Sequence, residues 1–237
     1  MIKAVTFDLW NTLIHDKSYT EQRMDILGGV LEGLGVQRRR EELLEAHNAS
    51  TAYYSDVRMR EYRHIPVEER LDITLRSLKV EISAEAKRLI VKEFADIFLV
   101  DPPLLKDGVR ETLERLRPRC RMGIISDTGI TPGSVIRRYF EEEGILRFFS
   151  STIFSDELGY CKPHERGFRE ALRQLSARPD EAMHVGDLLR TDVAGAKTAG
   201  MKAVWLKVRE GEKVEGVVPD YVITSLPLLL KVEGLDA

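Results

Sequence analysis

From Lys106 onward, short apolar runs alternate with amphipathic segments, and this alternation leaves the chain few folds to adopt. Met122–Ile125, Thr152–Phe154, Ala182–Val185, Ala203–Leu206 and Tyr221–Ile223 read as strands, the last at an edge. The spacing predicts helices near Asp107–Leu116, after Pro132, over Glu165–Leu175 and over Thr191–Ala199. Alternating units of this length imply a parallel sheet with right-handed crossovers and helices on both faces. One more strand, Lys3–Phe7, opens the chain and ends abruptly at Asp8.

The connection after that first strand is unusual. A parallel crossover needs about a dozen residues. The stretch from Ile14 to about Lys106 is several times longer and carries only helical periodicity. Met24, Leu27, Val30, Leu31 and Leu34 recur on one face, and Gly35 closes that helix. Leu43, Leu44, His47, Thr51 and Tyr54 mark a second helix. Pro66 opens a third, with Leu71, Leu75 and Leu78 inward. Ser83 caps a fourth, with Ala86, Leu89, Ile90, Phe94 and Ile97 inward. Pro102 and Pro103 end the block. The expected fold class is therefore α/β: a Rossmann-like parallel-sheet core, residues 1–14 and 104–237, with an inserted four-helix bundle, residues 15–103, over the strand ends.

Three strands end in chemically useful residues: Asp8, Ser126-Asp127, and Gly186-Asp187 with Asp192 five residues on. Ligand crevices of open α/β sheets lie at the carboxyl ends of strands, so these groups are expected to converge. Lys162, in a loop before Pro163, is within reach of the same place. Carboxylates and an ammonium around one cleft suit Mg²⁺ and a transferring phosphoryl group. Asp8 would attack phosphorus, Lys162 would offset negative charge, and the Ser126 hydroxyl would hold phosphate oxygens.

Composition narrows the alternatives. A net charge of −3 gives no sign of a nucleic-acid-binding surface. No apolar run reaches the roughly 20 residues of a membrane helix, and no signal peptide is evident. Two cysteines, Cys120 and Cys161, without metal-ligand spacing or an export signal, point to a reduced cytoplasm. Abundant charge (32%), with Asn only at 11 and 48 and Gln only at 22, 37 and 174, leans toward a thermophilic source. No feature sets an oligomeric state.

Taken as a set, FDLWNTL, IISDTG, ELGYCKP and HVGDLLRTDVAGA resemble the four motifs of the haloacid dehalogenase (HAD) superfamily, in its phosphatase form. The resemblance covers essentially the whole chain and marks the helical insert as the mobile cap between the first two motifs. It implies an Mg²⁺-dependent phosphatase acting on a small phosphorylated metabolite, with Asp8, Ser126 and Lys162 catalytic. It implies metal held by Asp8, the Trp10 carbonyl and Asp187, with Asp192 acting through metal-bound water or by positioning Lys162. Substrate contacts are expected from Ser126, Asp127, Lys162 and Trp10. One position departs: the family's second Asp, its acid–base, is Trp10 here, and indole can neither protonate a leaving group nor activate water. An aromatic there is similar to the 2-haloacid dehalogenases of the same superfamily, whose halide needs no acid. Those are metal-independent and resemble Ser-Asn, not Gly-Asp, in the fourth motif. A catalytically impaired phosphometabolite-binding protein is the third reading.

Other residues weigh less. His15 and Asp16 sit in the expected hinge, where either would be placed to supply an acid. Tyr53, Tyr54, Arg58, Arg60, Tyr62, Arg63 and His64 form a basic aromatic cluster, read as a solvated helix end rather than a substrate-facing cap surface. Arg38-Arg39-Arg40 reads as a solvated helix start. Arg190 flanks the fourth motif.

Overall fold

The apolar run at the N-terminus forms the centre of a sheet because both of its faces are covered. The structure is a computed structural model and describes residues 1–209 and 216–235; the expected core span to 237 therefore includes a few residues outside the described ones. β1 (Ala4–Phe7) leads into α1 (Thr20–Gly33), α2 (Arg40–Glu61), α3 (Val67–Ser77) and α4 (Ala84–Val100). Then come α5 (Val109–Leu116), β2 (Arg121–Ser126), α6 (Gly133–Glu142), β3 (Phe149–Phe154), the single turn α7 (Ser155–Leu158) and α8 (Glu165–Gln174). β4 (Ala182–Gly186), α9 (Ala194–Thr198), β5 (Lys202–Leu206) and β6 (Tyr221–Ile223) complete the order.

The strands make one sheet in the order β3-β2-β1-β4-β5-β6, and every pairing is parallel. The chain winds outward from β1 in both directions, so the order reverses between β1 and β4. A crevice opens at such a switch point, outside the carboxyl ends of the strands. Val5 and Phe7 point into a cluster with Leu113 of α5, Ile136 and Phe140 of α6, and Leu229. Ala4 points the other way, toward Phe168 and Ala171 of α8 and Ala196 of α9. The two-residue period of a strand thus supplies both faces of the core.

The four insert helices bury a separate apolar cluster, including Met24, Leu27, Leu43, Leu71, Leu75, Ile90 and Phe94. Ser83 caps α4 as the sequence predicts, its hydroxyl accepting the Ala86 N–H at 3.2 Å. Two residues expected inward lie outward. Leu34 falls beyond α1, where Gly35 turns the chain left-handed (φ 78°), and is exposed. Leu89 is rotated off the buried stripe of α4, which runs Ile90, Phe94, Phe98. Phe98 leaves the bundle and packs edge-on to Trp10 (6.0 Å) and Tyr139 (5.4 Å) of the sheet domain.

The expected helix over Thr191–Ala199 is instead a π-helical turn, Leu189–Val193, followed by α9. Its cause is local. The Asp192 carboxylate accepts the Leu188 N–H at 2.9 Å, while Asp192 N–H donates to the Leu188 carbonyl at 2.9 Å. The same carbonyl also accepts the Val193 N–H, five residues on, at 3.3 Å, and this bond widens the turn by one residue.

Candidate functional site

β1 ends with the Asp8 N–H donating to the Val185 carbonyl at 2.8 Å, which fixes the carboxylate beside the end of β4. Asn11 then turns the chain with a left-handed backbone (φ 58°), a conformation that asparagine tolerates better than most residues. Thr12 Oγ1 donates to Asp8 Oδ2 at 3.4 Å. The Lys162 ammonium, 5% exposed, lies between two carboxylates: it donates to Asp8 Oδ1 and, at 2.6 Å, to Asp192 Oδ1. Asp187 follows Gly186, and the Trp205 indole N–H holds its carbonyl at 2.9 Å. Gly186 is required by close approach: a Cβ there would stand 2.3 Å from Asp192 Cγ. Asp8, Lys162, Asp187 and Asp192, distant in sequence, thus meet at the switch point.

Sequence reasoning missed His184. It lies in β4 with its ring fully enclosed, Nδ1 within 2.8 Å of Thr6 Oγ1 and Nε2 within 3.4 Å of Asp192 Oδ1. It orients Asp192 from behind. The only signal available was a lone polar residue in an apolar strand, which carries no motif.

The charges do not balance. Burial, with Asp192 and Asp187 nearby, pushes the Asp8 carboxyl up to about 7 against the pull of Lys162. Burial and Asp192 push Asp187 up to about 6. Burial opposes ionisation of Asp192 as well, but Lys162 and His184 overcome it and hold that group below the ordinary range. Burial likewise works against the Lys162 charge, and Asp192 and Asp8 reverse it, so the ammonium stays protonated. Asp8, Asp187 and Asp192 offer oxygens all within 4.8 Å of one another. With all three carboxylates ionised against one ammonium the cluster would be dinegative, a charge that Asp8 and Asp187 resist without a counter-ion, and an all-oxygen donor set of this kind fits a hard divalent cation such as Mg²⁺.

Above the cluster lies a cleft of about 430 Å³. Asp8, Trp10, Asp127, Lys162, Asp187 and Asp192 line it. Ser126 does not; it is buried at the end of β2, and its hydroxyl makes one long contact, 3.5 Å, to the Asp127 carbonyl. Thr128 and Gly129 face the cleft instead. The Asp127 carboxylate is engaged, accepting Arg58 Nη2 at 2.7 Å, Arg58 Nε at 3.1 Å and the Lys162 N–H at 2.9 Å. Trp10 is half-buried. Of the hinge pair, Asp16 lines the cleft and His15 does not.

The basic aromatic cluster divides. Tyr54 and Arg58 face the cleft. Arg60 pairs with Asp56 and Arg63 with Glu61 at the surface, while His64 is buried against Ser155 (3.1 Å). Arg40 pairs with Asp25 and Glu21, and Arg39 with Glu42, as a solvated helix start should. Arg190 is exposed and does not line the cleft.

A sequence model of the haloacid dehalogenase-like hydrolases matches residues 2–200. The chain belongs to this family. HAD relatives include a glyceraldehyde 3-phosphate phosphatase of Pyrococcus abyssi, 33% identical over 87% of this chain and 82% of that protein. Another of the same name, from Methanopyrus kandleri, is 29% identical over 98% of this chain and 97% of its own. A Pyrococcus furiosus protein of that name is 41% identical, over 53% of this chain and about half (52%) of its own length. Among solved HAD structures, a 2-haloacid dehalogenase from Pseudomonas syringae superposes with a TM-score of 0.74 at 25% identity, covering 98% of this chain and 97% of that one. A HAD phosphatase from Thermococcus onnurineus gives 0.65 at 24% identity, over 98% of both chains. The protein is a HAD-type enzyme with phosphatase relatives, and no helix among the described residues is long and apolar enough to cross a membrane.

Proposed function

We propose that this HAD enzyme is an Mg²⁺-dependent phosphatase that hydrolyses small phosphomonoesters through an aspartyl-phosphate on Asp8. The observation carrying this reading is the meeting of Asp8, Asp187, Asp192 and Lys162 at the switch point. Asp8, Asp187 and the Trp10 carbonyl would hold the ion, with Asp192 reaching it through water. When bound, Mg²⁺ offsets the repulsion between the Asp8 carboxylate and the phosphate dianion.

The chain's own groups do the rest. An Asp8 carboxylate oxygen forms the new bond to phosphorus as the ester P–O bond breaks, and the departing oxygen takes a proton from water. Lys162 neutralises charge on both Asp8 and the phosphoryl oxygens, and Asp192, steered by His184, keeps the ammonium there. Ser126, expected from the sequence to hold a phosphate oxygen, is buried outside the cleft; Thr128 and Gly129, which line it, are assigned to the phosphate oxygens instead. Asp127 positions Lys162 through the backbone rather than touching substrate. Water then attacks phosphorus, the bond to Asp8 breaks, and inorganic phosphate leaves. With Trp10 in the acid's place, both steps lack general acid–base help, which is typically worth about 10²–10⁴-fold. Aryl and acyl phosphates, whose leaving groups need no proton, should therefore be the fastest substrates. The relatives' names make a three-carbon phosphate the size to test first.

The aromatic at position 10 favours a second reading, a dehalogenase in which Asp8 attacks carbon, and the Pseudomonas syringae neighbour carries that name. The three-carboxylate cluster argues against it, because a metal-free haloacid site has no use for so acidic a pocket. One experiment separates the readings: p-nitrophenyl phosphate with and without Mg²⁺, and 2-chloropropionate with chelator, each beside Asp8→Asn. Metal-dependent phosphate release lost in Asp8→Asn is the expected result. Halide release under chelation would replace the phosphatase with a dehalogenase. Silence on both substrates would make the chain a binding protein.

A further inference from the structure

Arg23, on α1, has its Cα in the helical insert and its guanidinium at the cleft that holds Asp8. It is 8% exposed. Nε donates to the Phe94 carbonyl at 3.2 Å and Nη2 to Thr131 Oγ1 at 3.0 Å. Its guanidinium lies over the Tyr19 ring at 5.4 Å, but among the described residues no carboxylate pairs with it and Nη1 has no hydrogen-bond acceptor. Buried charges are normally paired, because an ion taken from water without a counter-charge costs several kcal/mol. The surroundings make the imbalance worse. Burial first, and then the like charge of Arg70, pull the guanidinium down to about 10. Arg70 is itself buried with no ion pair, stacked over the Tyr54 ring at 4.5 Å, and its Nε is unsatisfied. Of the other cations of the cleft, Lys162 is engaged by Asp8 and Asp192, Arg58 by Asp127 and Lys17 by Asp101, while Arg209 acts on Asp187 in the carboxylate cluster.

Thr131 adds a second donor. Its hydroxyl oxygen accepts from Arg23, so its own hydrogen is directed elsewhere, and among the described residues it has no acceptor. Thr131 also lines the cleft and is buried. The cleft lining therefore carries two groups of opposite character. The carboxylate cluster suits a metal and a phosphoryl group. The Arg23–Thr131 pair offers a cation with no carboxylate partner and a spare O–H.

We propose that Arg23 and Thr131 form a carboxylate-binding subsite, so that the preferred substrate is a small phosphorylated carboxylic acid with the phosphate on Asp8 and the carboxylate on Arg23. This rests on the phosphatase reading and names its substrate class. A carboxylate fits better than a second phosphate for two reasons. Arg23 brings one positive charge and has only the Nη edge left to give, which matches two coplanar carboxylate oxygens. A phosphate dianion would leave excess negative charge in a buried pocket.

The test compares substrates that differ only at the far end: 3-phosphoglycerate, with a carboxylate, against glycerol 3-phosphate, with a hydroxymethyl group. p-Nitrophenyl phosphate reports the phosphatase chemistry alone. A charge-assisted pair should favour the acid by roughly ten- to hundredfold in kcat/KM, mostly through KM. Arg23→Gln should bring the acid-to-alcohol ratio close to one, and Arg23→Lys should retain part of it. Thr131→Val should reduce it less than Arg23→Gln does. The ratio is internal to each variant, so a general loss of folded protein does not mimic the result. Turnover of p-nitrophenyl phosphate with equal kcat/KM for acid and alcohol in the unsubstituted protein would overturn the subsite and leave the phosphatase standing. An acid preference that survives Arg23→Gln would also overturn it. No turnover of any phosphate would overturn both.

Discussion

At the scale of single residues, the site depends on one missing methyl group. Asp192 can lie across the end of β4 only because position 186 has no side chain. Gly186→Ala would press a Cβ into the Asp192 carboxyl, and the carboxyl is held in turn by Leu188 N–H, His184 and Lys162. Overpacking of this kind costs about 1–3 kcal/mol. The expected outcome is a lower melting temperature and a fall of at least about tenfold in kcat, since Lys162 moves with Asp192. A thermal melt beside steady-state kinetics checks it; unchanged kcat would mean that Asp192 does not position Lys162. Gly186, Asp8 and Lys162 were legible in the sequence because each sits in a short motif at a strand end. His184 and Arg23 were not. His184 is a lone polar residue in an apolar strand and Arg23 is one of several polar residues at the start of a helix, and only burial reveals what each touches. Ser126 was legible as a residue, but its closure from the cleft was not, because the side chain's surroundings come from distant segments.

At the scale of elements, the end of α2 is fastened to the loop that carries Lys162. The Cys161 N–H donates to the Tyr62 carbonyl at 2.7 Å, the His64 N–H donates to the Gly159 carbonyl at 3.0 Å, and Arg63 bridges Tyr160 in antiparallel fashion. Arg58, one turn earlier, pairs with Asp127, which also accepts the Lys162 N–H. The insert therefore helps hold the Lys162 loop, and a movement of α2 is expected to reach Lys162. Arg58→Ala would leave Asp127 partly buried without its counter-charge, a loss of about 1–3 kcal/mol. Faster amide exchange at residues 159–163, together with a lower kcat, is the expected result; exchange confined to α2 would show that the two elements are independent. The strands and helices themselves were largely readable from period. The first residues of β3, Phe149-Ser150-Ser151, were not, because the strand is admitted there by pairing with β2 rather than by its own apolarity. The π-turn was hidden for the same kind of reason: it rests on one main-chain bond, Val193 N–H to the Leu188 carbonyl, not on periodicity.

At the scale of the whole molecule, two sheet-facing clusters and a third cluster inside the insert divide the apolar interior. An insert with its own core can loosen without the sheet, and acid is the lever that reaches it first. His47 lies buried on α2, where burial, then the charges of Arg70 and Arg23, hold its ring down to about 4. Its usual value is near 6.5. The unfolded chain therefore takes up a proton that the folded insert refuses. Stability from this group is complete above about 6.5 and is lost as pH falls toward 4, at up to about 1.4 kcal/mol per pH unit for one proton. Protection of amides in α1–α4, taken relative to the intrinsic exchange rate at each pH, should fall between pH 6.5 and 4.5 before protection in β1, β2 and β4 does. His47→Gln should flatten that response, because glutamine has no proton to gain. An acid response that begins in the sheet, or one that persists in His47→Gln, would mean that the insert does not open as a unit. Arg23 and Arg58, carried on α1 and α2, line the cleft, so on the proposed reading a loosened insert would withdraw both from the site.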